Sequence, residues 1–130
     1  KVLVGGGIQN RPGFYFAPTG LEGGPEQSVA GRDELFGPTA VLWRMPDEAA
    51  AVKMANASRF GLSASIWTLD EQRGHAVAGQ LETGSAFINM ASQSHPAAPI
   101  GGTKRSGYGR ELGRDGIREL TNIKSIWSVQ

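Results

Sequence analysis

The sequence predicts an α/β fold: a parallel β-sheet flanked by helices, followed by a C-terminal strand. Two observations carry this. Between residues 40 and 89, short apolar runs alternate with helix-patterned segments in the order strand, helix, strand, helix, strand. Helical crossovers of that length join parallel strands, almost always in the right-handed sense. After them, residues 123–130 alternate with Ile123, Ser125, Trp127 and Val129 on one face and Lys124, Ile126 and Ser128 on the other, the period of a strand.

The elements follow in order. Residues 1–4 form a short apolar strand stopped by Gly5, Gly6 and Gly7. No Gly-Lys-Ser/Thr follows that triplet, so it reads as a turn and not as a phosphate loop. Phe14, Tyr15 and Phe16 suggest a second strand ended by Pro18, and residues 20–25 a loop. Residues 28–35 suit a short helix, ended by Gly37-Pro38 because the residue before a proline is pushed out of the α region. Residues 40–45 read as a buried strand. Pro46, Asp47 and Glu48 open a helix whose apolar stripe is Ala49, Val52 and Ala55, helped by Met54. Residues 63–68 are the next strand, and Asp70 is placed to cap a helix carrying Val77, Ala78 and Leu81. Thr83-Gly84 stops that helix before a strand at 85–89. Asp115 can cap a last short helix carrying Ile117 and Leu120.

Composition narrows the function. The 130 residues amount to one domain, large enough to bury a core. A net charge of +1 gives no case for nucleic-acid binding. No apolar run approaches the ~20 residues of a membrane span, and no secretory leader opens the chain. The chain has no cysteine, which removes disulfides, thiolate metal sites and a thiol nucleophile together. It opens on Lys1 directly in an apolar run without an initiator Met, as a cut inside a longer protein or a processed terminus would.

Three stretches can carry chemistry. Residues 99–113 hold Gly101, Gly102, Gly107, Gly109 and Gly113 beside Lys104, Arg105, Tyr108 and Arg110. Such a segment is either a cradle for an anion or a tightly packed crossing. In Asp33-Glu34-Leu35-Phe36-Gly37-Pro38, an acid two residues before an aromatic can hold a nucleoside, the carboxylate accepting ribose hydroxyls and the ring lying along a base. The plainer reading is a solvated acid and a core phenylalanine. Asn89 ends a strand and opens a prolyl loop with Ser92, Gln93, Ser94 and His95, short polar groups able to bind a polar or carboxylate-bearing ligand, or an ordinary surface loop. His95 has no second histidine or cysteine at ligand spacing, so no metal site is expected. No nucleophile–base pair can be assembled, and 107–113 lacks the spacing and leading strand of a dinucleotide fingerprint.

Four ordered motifs carry a resemblance: residues 33–38, 55–68 (Ala-Asn-Ala-Ser-Arg-Phe-Gly-Leu-Ser-Ala-Ser-Ile-Trp-Thr), 84–89 (Gly-Ser-Ala-Phe-Ile-Asn) and 99–113. Their order resembles the C-terminal part of NAD(P)-dependent aldehyde dehydrogenases, most of all succinate-semialdehyde dehydrogenases. The resemblance implies that Glu34 binds the nicotinamide ribose and that Phe36 lies beside the nicotinamide. It implies that residues 90–99 line the aldehyde pocket, with Ser92, Ser94 and His95 serving a carboxylate tail. It divides the chain into a catalytic-domain portion, 1–122, and an oligomerisation-arm strand, 123–130, that pairs with a neighbouring subunit in a homo-oligomer. The expected cofactor is NAD or NADP, the partner a small aldehyde, and the compartment cytoplasmic, with no nucleic acid and no membrane. In the family a cysteine attacks the aldehyde, the thiohemiacetal gives hydride to nicotinamide, and a glutamate activates the hydrolytic water. Both residues lie upstream of the matched region, so no catalytic residue is expected here. The chain alone is expected to be inactive and to self-associate. The competing reading is a stand-alone, non-catalytic assembly module of the same fold. A departure from the family pattern is Ile100 in Pro-Ile-Gly-Gly, where phenylalanine is more usual.

Overall fold

The computed structural model describes residues 1–24 and 28–130, and these fall into two compact units, 1–51 and 52–130. In the first, β1 (Val2–Val4) lies antiparallel to β2 (Thr19–Glu22), which runs parallel to β3 (Thr39–Leu42). The expected loop at 20–25 is therefore half strand, and Pro25 lies outside the described residues. Gly20 and Glu22 are poor strand formers, but β2 is bonded on both sides, and ladder pairing overrides a weak local preference. Thr19 is the pivot: its hydroxyl donates to the Ala17 carbonyl (2.7 Å) and accepts from the Gly6 N–H (2.9 Å). Gly5 has φ +73°, and a Cβ there would run into the Pro18 carbonyl. The triplet is thus a packed turn.

The expected strand at 14–16 is reduced to a single bridge between Ile8 and Phe16. Pro12-Gly13 turns the chain back on itself, and the Arg11 guanidinium stacks 3.6 Å above the Tyr15 ring. Ser28 caps α1 (Val29–Arg32), its hydroxyl accepting from the Gly31 N–H. This helix is shorter than 28–35 because Asp33 is already extended (φ −104°, ψ 153°). β3 is shorter than expected and is not buried: Thr39 and Val41 are half-buried, Ala40 and Leu42 exposed.

α2 (Glu48–Ala57) starts as expected, with Asp47 accepting from the Ala50 N–H at 2.7 Å. Its half-buried positions are Glu48, Ala50, Val52, Met54 and Asn56, whereas Ala49 and Ala55 of the expected stripe are exposed.

In the second unit, β5 (Ser63–Ile66) and β6 (Ser85–Ile88) pair in parallel, with α3 (Glu71–Ala78) as the crossover. That is the expected strand–helix–strand unit; β3 bonds to β2 within the first unit. Strands neighbouring in sequence pair only part of the time. A short antiparallel pair, β4 (Phe60–Gly61) with β7 (Thr103–Lys104), draws the glycine-rich segment onto this unit. α4 (Gly113–Glu119) begins two residues before Asp115, which sits inside its first turn and does not cap it. Among the described residues, 123–130 form no strand; Trp127 is 93% exposed. Among the described residues no hydrophobic side chain is fully buried.

Asp70 caps α3 as its position implied: Oδ1 accepts from the Arg73 N–H at 3.0 Å. Losing such a cap costs about 1 kcal/mol, so Asp70→Ala should speed hydrogen exchange of the first-turn amides about fivefold. Asp70→Ser, which keeps an acceptor, should restore most of the protection. Equal rates in all three proteins would show that the cap is idle.

Candidate functional site

The acidic-aromatic motif lies in the link between α1 and β3, within the first unit. Asp33 closes α1, its N–H donating to the Val29 carbonyl (2.9 Å). Its carboxylate takes a two-pronged bond from Arg32, with Nε–Oδ1 and Nη2–Oδ2 both at 3.0 Å. That hydrogen bond, with the charge of Asp33, raises the Arg32 guanidinium above its ordinary value. Glu34 is different. Its side chain is exposed, and among the described residues nothing hydrogen-bonds or ion-pairs with its carboxylate. Phe36 is 95% exposed and so is no core residue in this chain. Behind them the turn is firm: the Gly37 carbonyl accepts from the Thr39 N–H and the Pro38 carbonyl from the Thr19 N–H, both at 2.8 Å. Of two adjacent acids, one is tied down and the other is presented beside a bare aromatic ring on a fixed turn. A free carboxylate and an open π-face are groups that could hold a ribose diol and a flat heterocycle.

The polar loop belongs to the second unit. Asn89 opens it in a left-handed conformation (φ +55°), its N–H bonded to the Ile66 carbonyl and its Oδ1 accepting from the Thr68 N–H, both at 2.8 Å. Asparagine tolerates that region better than most residues because its short side chain bonds locally. Ser92 Oγ lies 3.0 Å from Ser63 Oγ. His95 organises a turn: its carbonyl accepts from the Ala98 N–H (3.0 Å) and its Nδ1 from the Ala97 N–H (3.2 Å). An acceptor at Nδ1 puts the neutral ring's proton on Nε2.

A half-open cleft of about 440 Å³ lies between β6 and this loop, walled by Phe87, Met90, Gln93, His95, Pro99 and Ile100 among others. Of the three expected substrate residues only His95 lines it; Ser92 faces Ser63, and Ser94 is exposed away from the lining. Gln93, which the sequence grouped with them but did not single out, lines the cleft beside His95. The glycine-rich segment proves to be a crossing. Arg110 Nη1 donates to the Gly102 and Gly109 carbonyls (2.9 and 2.7 Å), and Lys104 is likewise engaged by backbone oxygens. Among the described residues no group of His, Cys, Asp and Glu side chains could hold a metal ion. His75, on α3, has its Nε2 4.0 Å from a carboxylate oxygen of Glu71.

Comparison with protein families matches residues 1–126 to the aldehyde dehydrogenase family. The chain belongs to that family. An aldehyde dehydrogenase of Paenarthrobacter nicotinovorans is 45% identical over 127 residues, covering 98% of this chain and 28% of that protein. The NADP(+) succinate-semialdehyde dehydrogenase 1 of Mycobacterium ulcerans is 42% identical over 126 residues, covering 97% of this chain and 28% of that protein. The crystal structure of a succinic semialdehyde dehydrogenase from Streptococcus pyogenes, in complex with NADP+, superposes with a TM-score of 0.91 at 34% identity, covering 100% of this chain and 29% of that one. This aldehyde dehydrogenase chain therefore spans a little over a quarter of the length of the relatives it matches. No helix among its described residues is long and apolar enough to cross a membrane.

Proposed function

We propose that this chain is the part of an NAD(P)-dependent aldehyde dehydrogenase that holds the nicotinamide end of the cofactor and one wall of the aldehyde pocket, and that the aldehyde is succinate semialdehyde. The observation that carries the cofactor half is the contrast between Asp33, held by Arg32, and Glu34, whose carboxylate is free beside the exposed Phe36. Glu34 accepts the hydroxyls of the nicotinamide ribose, and Phe36 lies against the ring. When bound, the dinucleotide supplies the hydride acceptor; these residues bind and orient it. The relatives named for succinate semialdehyde, together with polar donors at the cleft, support the substrate assignment. The His95 Nε2–H can donate to the distal carboxylate, with Ser92 and Ser94 nearby in the chain.

With no cysteine, the chain supplies no thiol nucleophile, so that group comes from sequence outside it. Residues 123–130, with apolar groups on both faces and no strand pairing among the described residues, serve as a strand that joins a neighbouring subunit. The test is reduced-nicotinamide absorbance with succinate semialdehyde and NAD or NADP. The longer polypeptide should turn over, and the 130-residue chain should not, at any concentration. Turnover by the isolated chain would defeat the assignment of the nucleophile, and a longer polypeptide that oxidises no aldehyde would defeat the function.

A further inference from the structure

The glycine-rich segment crosses the second unit and is fastened there by Lys104. The ammonium donates to the Asn56 and Ser58 carbonyls at 2.6 and 3.1 Å and meets a carboxylate oxygen of Glu82 at 2.9 Å. The two carbonyls lie at the C-terminal end of α2, where backbone oxygens lack helical partners and a cation meets the negative end of the dipole. Three acceptors match the three N–H groups of an ammonium; the planar fork of arginine cannot converge on them in the same way. The side chain is only 24% exposed, although the residue is 48 positions from Asn56 in sequence. Neighbouring groups close the same knot. Asn56 donates to the Gln80 carbonyl (2.7 Å) and accepts from the Glu82 N–H (2.9 Å), while the Thr103 hydroxyl donates to the Glu82 carbonyl (2.9 Å). Lys104 adopts φ +55°, a conformation that side chains disfavour and that surrounding contacts must hold.

The same stretch of backbone supplies the cleft. Pro99 and Ile100 form part of its wall, and Ile100 is bonded to Glu111 through both its N–H (2.8 Å) and its carbonyl (2.9 Å). Four residues on, Lys104 is anchored to α2 and to the α3–β6 link. We infer that Lys104 is a positioning residue for the cleft: by locking segment 101–104 across the unit, it fixes where the Pro99–Ile100 wall stands. This rests on the reading of the cleft as the aldehyde pocket only for its kinetic consequence.

The experiment uses the longer enzyme with Lys104→Met and Lys104→Arg, and Lys53→Met, an exposed α2 lysine, as control. Lys104→Met should raise the aldehyde KM at least tenfold with kcat within threefold and the dinucleotide KM within twofold, and Lys104→Arg should rescue only part of this. In the same proteins, the amides of Ile100 and Arg105 should exchange at least tenfold faster, with α3 unchanged. If Lys104→Met does not fold, Lys104→Arg carries both readings. Unchanged protection at Ile100, or a lower yield of active enzyme with both KM values unaltered, overturns the inference. If the wild type oxidises no aldehyde, the proposed function fails, while the exchange data still decide whether Lys104 pins the wall.

Discussion

Glu34→Gln, made in the longer enzyme, should raise the KM for the dinucleotide about 10- to 100-fold. A hydrogen bond to a charged acceptor contributes about 1.5–3 kcal/mol, and the neutral amide keeps the shape while losing the charge. Asp33→Asn, one residue away, should change that KM less than threefold, because its carboxylate is already held by Arg32 at 3.0 Å. The pair makes the test internal. Similar losses from both would mean that the turn as a whole is fragile, and the assignment of Glu34 would fall. Phe36→Ala removes a ring that is 95% exposed, so its effect should also appear in cofactor binding and not in stability.

Gly84→Ala should have the largest effect on stability. Gly84 N–H bonds to the Gly61 carbonyl (3.0 Å), and the backbone of residues 101 and 102 lies directly against its Cα. A methyl group there would fall inside the Gly101 carbonyl and 3.2 Å from Gly102 Cα. Gly101 is packed in turn against the Gly109 carbonyl, so the obstruction cannot be relieved by moving a side chain. Overpacking of this kind costs roughly 3 kcal/mol, and here the obstacle is main chain. Gly79→Ala is the contrast. Gly79 has φ −66°, and its added methyl would meet only ordinary contacts at 3.6 and 3.7 Å, so the variant should be neutral or more stable by about 0.4–1 kcal/mol. Thermal midpoints and soluble yield of the two variants decide the matter. A tolerated alanine at 84 would mean that the crossing at 101 is looser than described.

Several features were legible from local chemistry. The Asp70 cap, the Ser28 start, the helix opening at Asp47 and the parallel β5–α3–β6 unit all follow from rules that act over a few residues. So does the family, because ordered motifs survive in the sequence whatever surrounds them. Other features depend on partners far along the chain. Residues 20–22 read as loop by local pattern, and bonding to β1 and β3 makes them strand. The 14–16 run looked like a strand, but it found only Ile8 to bridge.

By itself, then, the sequence determined the α/β class, the aldehyde dehydrogenase membership, the lack of cysteine in this chain and the short-range caps, since each is a property of residue types and spacing. Tertiary structure decided which of two adjacent acids is free, which loop residues line the cleft, and that Arg110 is engaged by carbonyls and Lys104 by carbonyls and Glu82 of the chain itself. Those outcomes turn on distances between residues tens of positions apart, such as Lys104 and Asn56 at 2.6 Å, and no local pattern encodes them.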